Sequence, residues 1–534
     1  MKRLLYIIIL TVIAAPFSRS DENQMRKLVM VQRIIENFYV DSVDSEKVTE
    51  EGIRAMLHTL DPHSLYSDKE ETKELTTPLN GNFSGIGIQF NMLNDTLYIL
   101  QTIPGGPSEK VGILAGDRIL AAGDSIISGV KRKNNSVINI LRGPKGTEID
   151  LKIKRKNVAD PIIFRVKRDD IPVYSVDASF MINDSTGFIR LTRFSESTDK
   201  EMKQAISKLK RNGMKNLILD LEGNGGGYLN AAVDVASQFL NKGDNVVSTK
   251  SVYRHRDNQL DASGNPLMPD GRLVIMVDQY SASAAEILAG AIQDHDRGVI
   301  VGRRTFGKGL VQQPFPLPDG SMVRLTISRY YTPSGRLIQK PYTKGDSEDY
   351  EMDIYNRIKS GELSSADSVK FDESLKTYTL RNHRTVYGGG GIMPDRFVAI
   401  DTTSFSPYYR DLVAKGVLNK FAITYVDEHR KELLKQYPDE KKFIEKFIVT
   451  DSMLQEFTEL GNQSEVQYSE EGFATSHELI VTVIKALIAR DLFETGSYYH
   501  VANPLNPIYN EALDIISHPQ TYNELLSGQK NQSH

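Results

Sequence analysis

The chain has 534 residues, enough for about three or four domains and a sizeable core. Hydrophobic residues make up 40% and charged residues 25%, the balance of an ordinary globular protein. The net charge of −4 offers no basic face for nucleic acid. Cysteine is absent, which excludes disulfides, thiolate metal sites, cysteine nucleophiles and a lipid-modified N-terminal cysteine.

Lys2 and Arg3 precede an apolar run over residues 4–15 that is too short to span a bilayer. Pro16 breaks it and Ser18, Arg19, Ser20 and Asp21 follow. This order predicts a secretory signal over residues 1–20 and export, in a bacterium to the periplasm. The alternative is an uncleaved membrane anchor, with peripheral membrane contact. Residues 22–76 read as a helical segment, with Leu28, Val31, Ile34, Ile35 and Phe38 at helical spacing and Asp61-Pro62 as a stop.

Residues 80–168 switch to short β-rich runs at 85–92, 97–103, 118–122, 149–154 and 162–167, with helical stretches at 108–113 and 137–141. Residues 170–400 read as one core, and within 172–335 strands (173–180, 187–191, 216–220, 246–253, 273–278, 299–302) alternate with helices (199–212, 229–239, 284–294), which predicts an α/β layer architecture. Residues 340–386 are polar and read as an insertion, and "GGGG" at 388–391 returns the chain to the core. Residues 401–534 read as a C-terminal helical domain without a legible motif.

Four constellations carry chemistry. "SGIGIQF" sets Gly85 and Gly87 before a strand, where exposed N–H groups can hold a carboxylate while a peptide adds as a strand. "QYSASAAEILAGAIQD" runs from a strand into a helix and offers Ser281 and Ser283, either of which could merely cap the helix. "GRRTFGKG" lacks the Ser or Thr of a phosphate loop after Lys308, and prolines follow where a helix is required. That leaves Lys308 as a solvated lysine or as a general base, which needs a pKa well below the ordinary ~10.4. "LILDLEGNGGGYL" fails the dinucleotide spacing at Tyr228, so its N–H groups either cradle a developing anion or only turn the chain.

Residues 80–168, with the turn "GILAGD" at 112–117, resemble a PDZ domain, which implies that a peptide tail docks at Gly85, Ile86, Gly87 and Ile88. The whole order of motifs resembles the C-terminal processing peptidases, family S41 serine proteases with a Ser/Lys dyad. The resemblance covers residues 30–340 and resumes at "GGIMPD". It implies a multidomain α/β protein with a crotonase-like (ClpP/crotonase) protease core, a PDZ domain and helical N- and C-terminal segments. It further implies Ser283 as nucleophile, Lys308 as base and Gln312 as the residue that positions the lysine. The oxyanion donors would be the N–H of Ala284 and of Gly227 or Gly226. No metal and no cofactor are implied. The implied partners are exported proteins with apolar C-terminal tails, and the N-terminal helices suggest a homodimer. Two positions depart from the family pattern: Ala285 replaces the motif's third serine, and Glu222 stands at the usual arginine of the Gly-rich turn. Asp294 lies about 16 Å along the helix from Ser283 and reads as a structural tether. Competing readings are a catalytically silent PDZ scaffold, acyl-CoA chemistry on a crotonase core, and a Ser-His-Asp site using His255 or His295.

Overall fold

The computed structural model describes residues 19–528, Arg254 and Arg256 excepted. The signal segment read over residues 1–20 lies outside the described residues but for its last two positions. The described chain forms two units. One comprises the chain up to Thr72 with Gln312–Thr326 and Tyr342–Glu351, the other the remainder.

In the first unit, helix Arg19–Phe38 leads to helix Ser45–His58, whose start is capped by the Asp44 carboxylate on the Lys47 N–H. Gln32 bonds Thr49 across the pair at 3.1 Å. The apolar stripe of the first helix, including Leu28, Val31, Ile34 and Phe38, is exposed. After the second helix the Asp61 carboxylate accepts the N–H groups of His63 and Ser64 at 2.9 and 3.0 Å and turns the chain. Residues 65–67, read from sequence as helical, instead form a strand paired antiparallel with residues 322–324. The Asp61 turn sends this stretch to a strand edge, where tertiary pairing decides over local pattern.

In the second unit, residues 82–172 form a small β-module. Strands Ile88–Leu93, Thr96–Thr102, Arg118–Ala122, Glu148–Lys154 and Ile162–Lys167 pair in that order, and helix Asn134–Leu141 covers them. Their inward residues, Leu97, Ile99, Ile119, Leu151 and Ile153 among them, make a separate core.

The larger core is built on a six-stranded sheet whose spatial order follows the chain: Val176–Met181, Thr186–Leu191, Asn216–Asp220, Leu273–Val277, Val299–Gly302, Arg396–Phe397. Only the first pair is antiparallel. The central strands read NLILD, LVIMV and VIVG and are buried along their whole length, as parallel strands covered on both faces must be. Period-two alternation then divides their side chains. Leu217, Leu219, Ile275 and Val277 face a layer containing helices Thr198–Arg211, Leu229–Ala236 and Ala284–Asp294. Ile218, Val274 and Met276 face helix Pro507–Ser517, through Ile508, Ala512 and Ile515. The helices after residue 506 therefore complete the burial of this sheet. The remaining C-terminal helices, from Pro407–Ala414 to Thr495–Ala502, close a core of their own around Phe421, Phe443, Phe457 and Ile484.

The polar insertion is tied to the core. Buried Arg357 donates to the carbonyls of Thr305 and Arg304, and it shares the Glu362 carboxylate with Arg304. Lys340 pairs with Asp353 at 3.1 Å and lies 3.9 Å from the Phe306 ring centroid. The segment immediately before Lys308 is thus gripped by residues that sequence pattern marked only as polar. No helix among the described residues is long and apolar enough to cross a membrane.

Candidate active site

Strand Leu273–Val277 ends at Asp278, whose Oδ1 accepts the N–H groups of Tyr280 and Ser281 at 3.0 and 2.9 Å. That tight turn starts helix Ala284–Asp294. Of the two candidate hydroxyls, Ser281 is fully buried and donates to the Leu221 carbonyl at 2.8 Å, so it stitches the turn together. Ser283 is partly exposed and has φ +56° and ψ −114°, a conformation L-residues rarely hold. Strain held at one hydroxyl-bearing residue between a strand and a helix marks it over its neighbour.

The Gly-rich turn is sewn to this elbow. Gly223 donates to Asp278 Oδ1 at 3.0 Å, and Ala282 donates to the Asn224 carbonyl at 2.9 Å. Gly226, at φ +97°, sits so close that a Cβ would meet Ser283 Cβ at 2.8 Å and the Ala284 nitrogen at 2.9 Å. The Gly226 N–H is committed to Asn224 Oδ1. A Cβ on Gly227, at φ +147°, would come 2.0 Å from the Phe194 carbonyl oxygen. These two positions admit only glycine.

Lys308 is partly buried in the loop before strand Leu310–Pro316. Ser283 and Lys308 are tied by a residue to which sequence reading gave no role. Glu286 is fully buried, and its Oε2 accepts the N–H of Ser283 at 2.8 Å and the N–H of Lys308 at 2.9 Å. Two bonds to one oxygen hold those nitrogens within about 6 Å of each other. Its Oε1 accepts the Gly307 N–H at 2.7 Å and the Thr305 hydroxyl at 2.5 Å. Burial pushes the Glu286 pKa up, and the four donors pull against it. The opposite side of the two backbones is held as well, since the Tyr330 hydroxyl reaches the carbonyls of both Ser283 and Lys308. Glu286 carried a readable signal, a Ser-x-x-Glu spacing at a helix start. Tyr330 opens the stretch "YYTPSGRLIQ", which matches the family pattern but gave it no role at the site.

The structure distributes the other expected residues as follows. Gln312 belongs to the first unit, where its amide lies 3.4 Å from the Thr326 hydroxyl. Asp294 is fully buried, pairs with Arg336 and accepts the Ser334 N–H, so its carboxylate is spent on the segment after residue 331. His295 is bound to the Asn245 carbonyl, and His63 to the Tyr350 hydroxyl. Glu222 lies beneath the Gly-rich turn, where its carboxylate accepts the Asn506 amide. Arg190 pairs with neighbouring Asp220 and donates to the Glu222 carbonyl. Burial first, then the Asp220 charge, push the Glu222 pKa up to about 8. Among the described residues no group of His, Asp and Glu is arranged to hold a metal ion.

In the β-module, Gly87 has φ +74°, and the carbonyls of Ile86 and Gly87 accept the N–H groups of Ser108 and Ile103. In trans peptides this turns the N–H groups of Gly87 and Ile88 the other way. Beside them lies a groove of about 170 Å³ lined by Ile86, Ile88, Phe90, Ile138 and Leu141, with Gly85 and Arg142 at its rim.

Comparison with known proteins agrees with this architecture. Residues 185–350 match peptidase family S41, residues 84–166 a PDZ domain, and residues 14–71 the N-terminal domain of the activating protease CtpB. Residues 408–494 match a family of unknown function. The carboxy-terminal-processing protease of Bartonella bacilliformis is 37% identical over 329 residues, 60% of this chain and 75% of that protein. The carboxy-terminal processing protease CtpB of Bacillus subtilis is 30% identical over 428 residues, 80% of this chain and 87% of that one. A solved photosystem II D1 C-terminal processing protease aligns over 58% of this chain and 89% of its own, at 28% identity and a TM-score of 0.33. With a PDZ module, an S41 match across the strained serine and the Gly-rich turn, and relatives of this extent, the chain belongs to the C-terminal processing serine proteases of peptidase family S41.

Proposed function

We propose that Ser283 and Lys308 form the catalytic dyad. The observation that carries this reading is the shared Glu286 carboxylate, which bonds the backbone of both residues while Ser283 is held strained at a helix start. In the proposed reaction an uncharged Lys308 amine takes the Ser283 proton as the hydroxyl oxygen attacks the scissile carbonyl carbon. The tetrahedral oxyanion collapses, the C–N bond breaks, and the lysine returns the proton to the leaving amine. Water, deprotonated by the same amine, then releases the acyl group. Gln312 would position the lysine, as the family resemblance implies.

The Ala284 N–H at the helix start is one oxyanion donor, and its alignment with the helix dipole favours the charge. Gly227 is the second donor, because the Gly226 N–H is already spent on Asn224. The core is read as crotonase-like, since its parallel strands carry a glycine-rich turn and a helix start facing one reaction centre. The substrates are exported proteins with apolar C-terminal tails, held by the Gly87 and Ile88 N–H groups with the last side chain among Ile88, Ile138 and Leu141. Residues 1–20 act as the export signal, and the exposed stripe of helix Arg19–Phe38 joins two copies.

The test is cleavage of a protein substrate bearing an apolar tail. Ser283→Ala and Lys308→Ala each abolish it while melting as the parent does. Near-parental cleavage by Lys308→Ala rules out the lysine as base.

A further inference from the structure

The helical domain that matches a family of unknown function makes a close contact with the PDZ domain, in which charge, hydrogen bonding and packing all take part. Arg118, on the PDZ strand Arg118–Ala122, pairs with Asp427 of helix Val417–Gln436 at 2.6 Å, and the two side chains are only 17% and 14% exposed. Lys156, in the turn between the last two PDZ strands, donates to the Asp427 carbonyl at 3.0 Å. Gln101 of the neighbouring strand donates to the carbonyls of Arg490 and Phe493, at the end of helix His477–Leu492. Gly116 lets the chains approach, since a Cβ there would meet Asp427 Oδ1 at 3.2 Å. Between Tyr98 and Leu100 on one side and Ile423 and Val426 on the other, the remaining void is about 10 Å³.

Register explains why this face is available. Leu97, Ile99 and Ile119 fill the PDZ core, which leaves Tyr98 and Arg118, paired across the strands, on the outer face. The tail groove is lined by other residues, on strand Ile88–Leu93 and helix Asn134–Leu141. Docking and tail binding therefore use separate surfaces and do not compete. A largely desolvated ion pair contributes little net affinity against water, but it tolerates only one geometry, so its effect is to fix orientation.

We propose that the helical domain of residues 407–502 is a cradle for the PDZ domain, holding the tail groove at one set position relative to Ser283. The proposal rests on the tail-binding reading of the PDZ domain. Because the groove is anchored to the same body as the dyad, a captured tail places a defined stretch of substrate at the nucleophile. Freeing the PDZ domain leaves tail affinity intact and lowers the rate at which captured substrate is cut.

The chain has no cysteine, so Asp124→Cys on the PDZ domain and Glu432→Cys on the helical domain, both exposed, accept spin labels selectively in the full-length protein. The labelled parent gives one narrow distance distribution. Asp427→Arg, which sets a third cation against Arg118 and Lys156, broadens it, and the exchange Arg118→Asp with Asp427→Arg, which restores the closer of the two pairs, narrows it again. Cleavage of a tailed substrate falls about tenfold in kcat/KM for Asp427→Arg and returns in the exchange variant, while affinity for an apolar tail peptide stays within twofold throughout. A broad distribution in the parent, or a narrow one in Asp427→Arg, overturns the cradle. Unchanged cleavage alongside a broadened distribution overturns its role in processing. An inactive parent counts against the proteolytic reading alone, because the distance measurement needs no turnover.

Discussion

Glu286→Gln replaces a single oxygen by an amide nitrogen at the point where the segments carrying Ser283 and Lys308 meet. The carboxylate accepts two N–H groups on Oε2 and one N–H and one hydroxyl on Oε1. A carboxamide retains only one acceptor. If that oxygen keeps Ser283 and Lys308, the new NH2 group faces the Thr305 hydroxyl, which can rotate to accept, and the Gly307 N–H, which cannot. One buried amide is then left unpaired, at a cost of about 1–3 kcal/mol. The two retained bonds lose their ionic acceptor, which removes roughly another 1 kcal/mol each. The expected sum is about 3–5 kcal/mol, divided between global stability and the geometry of the dyad. Steady-state cleavage of a tailed substrate should show kcat reduced at least tenfold with KM near the parental value, because the tail groove is untouched. Denaturant unfolding should show a loss of about 2–3 kcal/mol. A Glu286→Gln enzyme with parental kcat and parental unfolding midpoint refutes the clamp.

Glu222 predicts a pH dependence of stability. Its folded pKa of about 8 stands above the ordinary 4.5, so between those values the folded state holds a proton that the unfolded chain has released. Stability therefore falls as pH rises through that window, by at most about 1.4 kcal/mol per pH unit, and the fall ends above pH 8. Glu222→Gln should flatten the decline in urea midpoint between pH 6 and 8.5, and equal slopes in the two proteins contradict the assignment. Asp294→Asn leaves the Arg336 guanidinium, 1% exposed, without its counter-charge, at about 3–5 kcal/mol. Its activity below the lowered melting temperature should match the parent per folded molecule, and a selective loss of kcat in folded protein argues for a part in the reaction. Gly227→Ala forces a Cβ into the Phe194 carbonyl and should lower kcat by about 100-fold or more, since it displaces the proposed second oxyanion donor; cleavage at the parental rate excludes that glycine.

What the sequence made readable follows from the range of the interactions involved. The central strands and helix Ala284–Asp294 are set by local apolar pattern and by small residues at the turns, so their positions could be read directly. Strand Leu65–Ser67 depends on a partner far along the chain, residues 322–324, and Pro314 and Pro316 obscure strand Leu310–Pro316 although its partner Met322–Tyr331 is close by. At the site, Ser283 and Lys308 stand in motifs, and Glu286 is spaced as a capping residue. Tyr330 reaches the same two backbones from a strand 47 residues beyond Ser283, and its stretch "YYTPSGRLIQ" does not say what the side chain touches. The Glu222 departure is met by Asn506, 284 residues away, and only the packing of the last helices on the sheet brings the two together. The insertion's grip on residues 304 and 305 through Arg357 is legible only in three dimensions for the same reason.

The dyad is tested most directly by labelling the full-length enzyme with a fluorophosphonate and mapping the adduct by mass spectrometry. One adduct per chain, on Ser283, lost in Ser283→Ala and slowed at least 100-fold in Lys308→Ala, is the predicted result. An adduct on another serine, or labelling of Ser283 at the parental rate without Lys308, contradicts it.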